Sequence, residues 1–178
     1  MPIKNLGFEI KPLLVLISVV GLTFFAPLAL FILKLLSRRF KVLEQFGKFA
    51  AVGTLNTFLY LAVINLLILL TDIARGTYYS VFVVAGFIIA TTNSYLWNKF
   101  WTFQSRAPIN LAEYGRFAFF TLIGVLINAS TASLIVNVIG APSGFNLKLW
   151  ANIGALIAVF VSFLWNFISY RKIVFKNA

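Results

Sequence analysis

The sequence predicts an all-α membrane protein with five transmembrane helices, four of which form two helical-hairpin repeats of the same orientation. Three observations predict it: the hydropathy, the placement of basic residues, and a constant offset between matching positions. Of the 178 residues 61% are hydrophobic, and the mean hydropathy is +0.97, far above that of a soluble domain. Five stretches carry no charge and are long enough to cross a bilayer core of about 30 Å: Leu13–Leu33, Phe49–Leu70, Tyr78–Trp97, Phe117–Ile139 and Leu149–Ile168. The connections are too short to fold as separate domains, so one membrane bundle is expected.

The first stretch exceeds the apolar core of a signal peptide and no small-residue cleavage site follows it, so it reads as a retained helix kinked at Pro27. After it, "KLLSRRFKVLEQFGKF" interleaves cations with Leu35, Leu36, Phe40, Leu43 and Phe46, a pattern suited to lying along an anionic leaflet. Residues 1–45 are thus an additional N-terminal helix and basic linker, and 46–178 the main membrane domain.

The net charge of +11 marks sidedness, since the fifteen Lys and Arg sit between the spans; no nucleic-acid partner is implied. One set of loops holds Lys34, Arg38, Arg39, Lys41, Lys48, Lys99, Arg106, Arg116, Arg171, Lys172 and Lys176; the other holds Lys4, Lys11, Arg75 and Lys148. Cations concentrate on the cytoplasmic side, which puts the C-terminus in the cytoplasm of a multi-pass protein of the cytoplasmic membrane.

The third observation separates the four later spans from the first. Asn56 and Asn128, Asn65 and Asn137, Ser94 and Asn166, Lys99 and Arg171, and Phe103 and Phe175 all stand 72 positions apart. The lead-ins "FGKF" (46–49) and "YGRF" (114–117) match at an offset of 68, so about one helical turn was gained between Phe117 and Asn128. Each unit, 46–103 and 114–175, is a two-crossing hairpin. Two crossings return the chain to its starting side, so both units share an orientation and both endings face the cytoplasm.

Catalytic chemistry is poorly supplied. Histidine and cysteine are absent, and the acids are Glu9, Glu44, Asp72 and Glu113. No carboxylate pair, metal-ligand cluster or nucleotide-binding glycine loop appears, so neither an enzyme nor a cofactor nor a bound metal is expected. Asn110 with Glu113 three residues on reads as a capping box that opens the fourth span, with no chemistry assigned.

Amides and hydroxyls in hydrocarbon need partners, and helix-to-helix hydrogen bonds are their common use. Asn56, Asn93, Ser94, Asn98, Asn128 and Asn166 are the candidates for a polar pocket, with Ser94 and Asn98 on one helix face. Asn56 and Asn65 lie nine apart on opposite faces, so at most one of each such pair faces a common interior. Lys99, Arg171 and Lys172 follow the third and fifth spans and, with Lys48 and Arg116, are candidates to hold a lipid phosphate. Tyr95, Trp97, Trp101 and Trp165 suit the aromatic interface, where indole faces also stack on sugar rings. Small and amide residues along short spans predict a homo-oligomer, a dimer.

These residues carry a resemblance. "FGKFAAVGTLNTFLYLAV" with "NSYLWNKFWTF", then "YGRFAFFTLIGVLIN" with "NFISYRKIVF", resembles the GtrA-like family over about Phe46 to Lys176. The resemblance implies a four-helix protein that passively translocates a polyprenyl-phosphate-linked sugar for extracytoplasmic glycan modification, with a membrane glycosyltransferase as partner. The family's ending, Phe-x-x-Asn-Arg-x-Trp-x-Phe, reads here as Tyr95, Asn98, Lys99, Trp101 and Phe103. The second copy keeps Phe167, Arg171 and Phe175 but has Tyr170 in place of Asn and Ile173 in place of the aromatic; Asn166, one turn earlier, is its nearest amide. The alternative is an adaptor that recruits the glycosyltransferase and transports nothing.

Overall fold

The structure, a computed structural model, describes Phe31 and residues 41–176. Apart from Phe31, the first predicted span lies outside the described residues, as do residues 34–40 of the basic linker. Among the described residues the regular structure is helical, chiefly in four long apolar helices: α1 (Lys41–Thr71), α2 (Gly76–Trp97), α3 (Leu111–Ser133) and α4 (Leu147–Ser169). All four are long and apolar enough to cross a membrane, as expected of a multi-pass membrane protein.

Two compact units divide the chain between Lys48 and Phe49. In the first, the opening of α1 carries an i,i+4 ion pair, Lys48 Nζ to Glu44 Oε1 at 2.6 Å. Helix α1 has 31 residues, about 46 Å at the α-helical rise of 1.5 Å, and so outruns the hydrocarbon core.

In the second unit the helices close a ring of side-chain contacts. Asn93 on α2 donates to Asn56 Oδ1 on α1 at 2.8 Å, and a Cβ on Gly86 would meet the Tyr60 ring at 3.1 Å. Helices α2 and α3 meet through Thr92 and Tyr114, whose hydroxyls lie 2.9 Å apart. Helices α3 and α4 make the most extensive contact, including Asn128 to Ser162 at 3.3 Å. The Phe49 ring of α1 closes the circle on Phe163 of α4 at 4.7 Å. Polar pairs thus join neighbouring helices where hydrocarbon solvent supplies no hydrophobic drive for association.

Caps explain where two helices begin. Asn110 Oδ1 accepts from the Glu113 amide, and Asn146 Oδ1 accepts from the amides of Lys148 and Leu149, satisfying donors that a helix start leaves open. Three helices end by widening into π turns: Asn98–Thr102 after α2, Leu134–Ile139 after α3 and Tyr170–Val174 after α4. The first and third close with the same bond five residues back, Phe103 N to Asn98 O and Phe175 N to Tyr170 O, each 2.8 Å. Phe103 and Phe175, 72 positions apart, stack on each other with centroids 5.2 Å apart.

Candidate functional site

The π turn after α2 carries Lys99 inward. Its side chain is fully buried, and Nζ lies 2.5 Å from Glu113 Oε1 at the start of α3. The same oxygen accepts from the Tyr95 hydroxyl at 2.5 Å, and Tyr95 is itself buried. The rings of Tyr95, Phe100 and Phe175 stand about 6 Å from the ammonium. A buried ion pair is stable only when each charge is matched and hydrogen-bonded, and here one carboxylate oxygen holds both donors. Asn98, also fully buried, donates to Ser94 O at 2.9 Å and to Ser94 Oγ at 3.2 Å. Its Oδ1 and the Thr102 hydroxyl, one turn apart, are buried without a protein partner.

Above this end lie two clefts in the helix ring. One, of about 540 Å³, is largely apolar, walled by Val83, Val84, Phe87, Ala90 and Val125. The other, of about 410 Å³, is lined by Thr54, Ser162, Asn166 and Tyr170 among others. Gly53, Thr57, Ser94 and Thr121 line both. The clefts therefore share a wall, with an apolar side toward mid-helix and a polar side toward the basic end of α4. Among the described residues, none that lines either cleft is charged.

A glycine sets the polar wall. A Cβ on Gly124 would come within 2.7 Å of Asn166 Nδ2, so the amide occupies space that only glycine leaves open. The Asn166 Oδ1 atom is buried and has no partner.

The family model for the GtrA/DPMS transmembrane domain matches residues 48–175, which takes in α2, α3, α4 and nearly all of α1 inside the ring. The chain belongs to that family. No curated protein and no solved structure matches it.

Within this GtrA/DPMS domain the sequence-derived candidates separate. Ser94 and Asn166 line the polar cleft, Asn56 lines the apolar one, and Asn93 holds Asn56 in place. Asn128 turns inward to Ser162, whereas Asn65 and Asn137 are exposed and bond within their own helices. Asn98 lines none of the described clefts; it acts on them through Ser94.

Several placements are corrected. Lys99 is not a free cation past a helix end: helix α2 overshoots into the π turn, and the lysine is buried against Glu113. Tyr95 is not interfacial but buried, because its hydroxyl is needed at that carboxylate. Lys48 is paired with Glu44. Trp165 is half-buried against α3, its Nε1 donating to the Phe120 carbonyl at 3.4 Å. Arg116, Arg171 and Lys172 are exposed, as is Trp97, whose ring meets Trp101 edge-on at 5.8 Å.

Glu113 is the buried partner that sequence spacing concealed. The capping box is only half made: Asn110 accepts from the Glu113 amide, but the Glu113 carboxylate turns to Lys99 and Tyr95. Its signal was its rarity as one of four acids in the chain. Thr121 was also passed over, and its position on both clefts follows only from helix packing.

Proposed function

We propose that the chain is a passive, non-enzymatic carrier that moves a polyprenyl-phosphate-linked monosaccharide across the cytoplasmic membrane for extracytoplasmic glycan modification. The observation that carries this reading is the shared wall of Gly53, Thr57, Ser94 and Thr121 between an apolar and a polar cleft. An amphipathic lipid needs that combination: the prenyl chain against valines and phenylalanine, the sugar among hydroxyls and amides, without either being stranded in the wrong medium. Exposed Arg171 and Lys172 directly follow Tyr170 of the polar cleft and, with Arg116, are the cations for the phosphate.

In this reading the two hairpin units are related by an axis along the membrane normal, and both endings are cytoplasmic. Stacking of Phe103 on Phe175 and the matching π turns support that relation. Direction comes from synthesis of the lipid-linked sugar by a partner glycosyltransferase on one side and its use on the other. A dimer is expected, since one ring of four helices is narrow for a sugar.

The test is reconstitution of the full chain in liposomes with synthetic polyprenyl-phosphate glucose, following exposure of the head group to an external, membrane-impermeant oxidant. Carriage exposes inner-leaflet lipid within the assay, whereas protein-free liposomes keep it protected. Protection unchanged by active, correctly inserted protein would favour the adaptor that only recruits the glycosyltransferase.

A further inference from the structure

Five of the six hydroxyls that line the polar cleft have already committed their protons. A serine or threonine hydroxyl has one proton and two lone pairs. Thr54 donates to the Ala50 carbonyl at 3.1 Å, Thr57 to Gly53 at 3.0 Å, Thr121 to Phe117 at 2.8 Å and Ser162 to Val159 at 3.0 Å. With the Thr121 proton taken, the 2.6 Å contact between Thr121 Oγ1 and the Tyr170 hydroxyl uses the tyrosine proton. What these five groups offer a ligand is lone pairs. Asn166 adds no acceptor, because its unpartnered Oδ1 is buried against Gly124 and out of reach of the cleft. The donors facing them are few: the Ser94 hydroxyl, which accepts from Asn98, and Asn166 Nδ2.

We propose that the polar cleft is an acceptor-lined subsite that selects an uncharged sugar ring by its hydroxyl protons and rejects a sugar bearing a carboxylate. The inference rests on the carrier reading above and adds to it the class of head group. A neutral pyranose brings several O–H donors to a wall that is short of them. A uronate replaces one donor with two acceptor oxygens and a negative charge, so lone pairs face lone pairs. No lining residue carries a cation to offset that charge, and the cleft is walled by Phe49, Val159 and Phe163, where water is a poor substitute. A site built around one hydrogen-bonding polarity discriminates strongly because the wrong ligand leaves buried groups unpaired. The phosphate, an acceptor too, is excluded for the same reason and stays at the exposed cations outside.

Three short-chain probes test this on the purified full-length protein in lipid nanodiscs at neutral pH: citronellyl-phosphoryl glucose, citronellyl-phosphoryl glucuronate and citronellyl phosphate, with binding read by native mass spectrometry. The glucose conjugate is expected to bind at least tenfold more tightly than the glucuronate conjugate. Thr57→Val, nearly isosteric, removes one acceptor and should reduce that ratio to below threefold, and Asn166→Asp, which replaces the Nδ2 donor with an acceptor and adds charge, should widen it. Ser162→Ala gives an independent arm if the Thr57 variant does not fold, and it too should narrow the ratio. Equal or tighter binding of the glucuronate conjugate overturns the subsite and leaves the carrier reading standing. A glucose preference unchanged in both Thr57→Val and Ser162→Ala also overturns it, since the discrimination then lies elsewhere. Failure of all three probes to bind overturns the subsite and the carrier reading together.

Discussion

The two chain segments Asn98–Phe103 and Tyr170–Phe175 share a backbone and differ in chemistry. Both leave an α-helix through a π turn, both close with a 2.8 Å bond five residues back, and their terminal phenylalanines stack on each other. Yet Lys99 is fully buried on Glu113, while Arg171, its counterpart 72 positions on, is exposed and has no ion-pair partner among the described residues. Aligned lead-ins show the difference in the sequence itself: the position matching Glu113 is Gln45, which carries no charge. Where a carboxylate is supplied the cation turns inward and ties helices together; where none is, burying a guanidinium would cost too much and it stays at the surface. The two segments thus differ in what their cation does: Lys99 ties the end of α2 to α3, and Arg171 stays exposed.

The largest expected effect breaks the first ending. Lys99→Met leaves the Glu113 carboxylate buried without its cation and should cost about 3–5 kcal/mol of unfolding free energy, whereas Arg171→Met should change it by less than about 0.5 kcal/mol. Equilibrium unfolding in mixed micelles measures both. Removing the pair together, in Lys99→Met with Glu113→Leu, should return stability to within about 1 kcal/mol of the parent. A double variant that costs the sum of Lys99→Met and Glu113→Leu taken singly would mean that the two charges do not act as a pair.

A smaller effect sharpens the comparison at the second ending. Asn166 is the counterpart of Ser94, and it depends on the space left by Gly124. Gly124→Ala should cost about 1–3 kcal/mol by overpacking, while Gly53→Ala, where a Cβ meets nothing within 4 Å, should be neutral or stabilising by up to about 1 kcal/mol. Thermal unfolding of the detergent-solubilised variants distinguishes the two.

The smallest concerns the residue where Tyr170 replaces an amide. Tyr170→Phe keeps the stacking on Phe117, with centroids 4.2 Å apart, and loses only the bond to Thr121. A loss of about 0.5–1.5 kcal/mol is expected, and a loss above about 3 kcal/mol would show that the hydroxyl does more than join α3 to α4.

Hydropathy alone located the four described helices. The uncharged stretch Tyr78–Trp97 became Gly76–Trp97, and Leu149–Ile168 became Leu147–Ser169, because in a bilayer the run of apolar residues is itself the condition for a spanning helix. Periodicity likewise separated Asn56 from Asn65, since nine residues turn a helix to its other face. Position 99 was legible as a cation but not as a buried one. The turn that carries it inward widens from α to π geometry, and no residue type in Asn98–Thr102 announces that change.

What the sequence determined by itself is therefore what one dimension can hold: apolar length, charge sidedness, a 72-residue offset, and the set of amides and hydroxyls inside the spans. The tertiary structure decided which of those groups meet. Glu113 read as a cap because its local partner, Asn110, is three residues away, whereas Lys99 is fourteen residues away across a loop. The cleft wall of Gly53, Thr57, Ser94 and Thr121 draws on three helices, so it exists only once they pack. Which hydroxyls keep a proton for a ligand is decided later still, by helix carbonyls that accept it first.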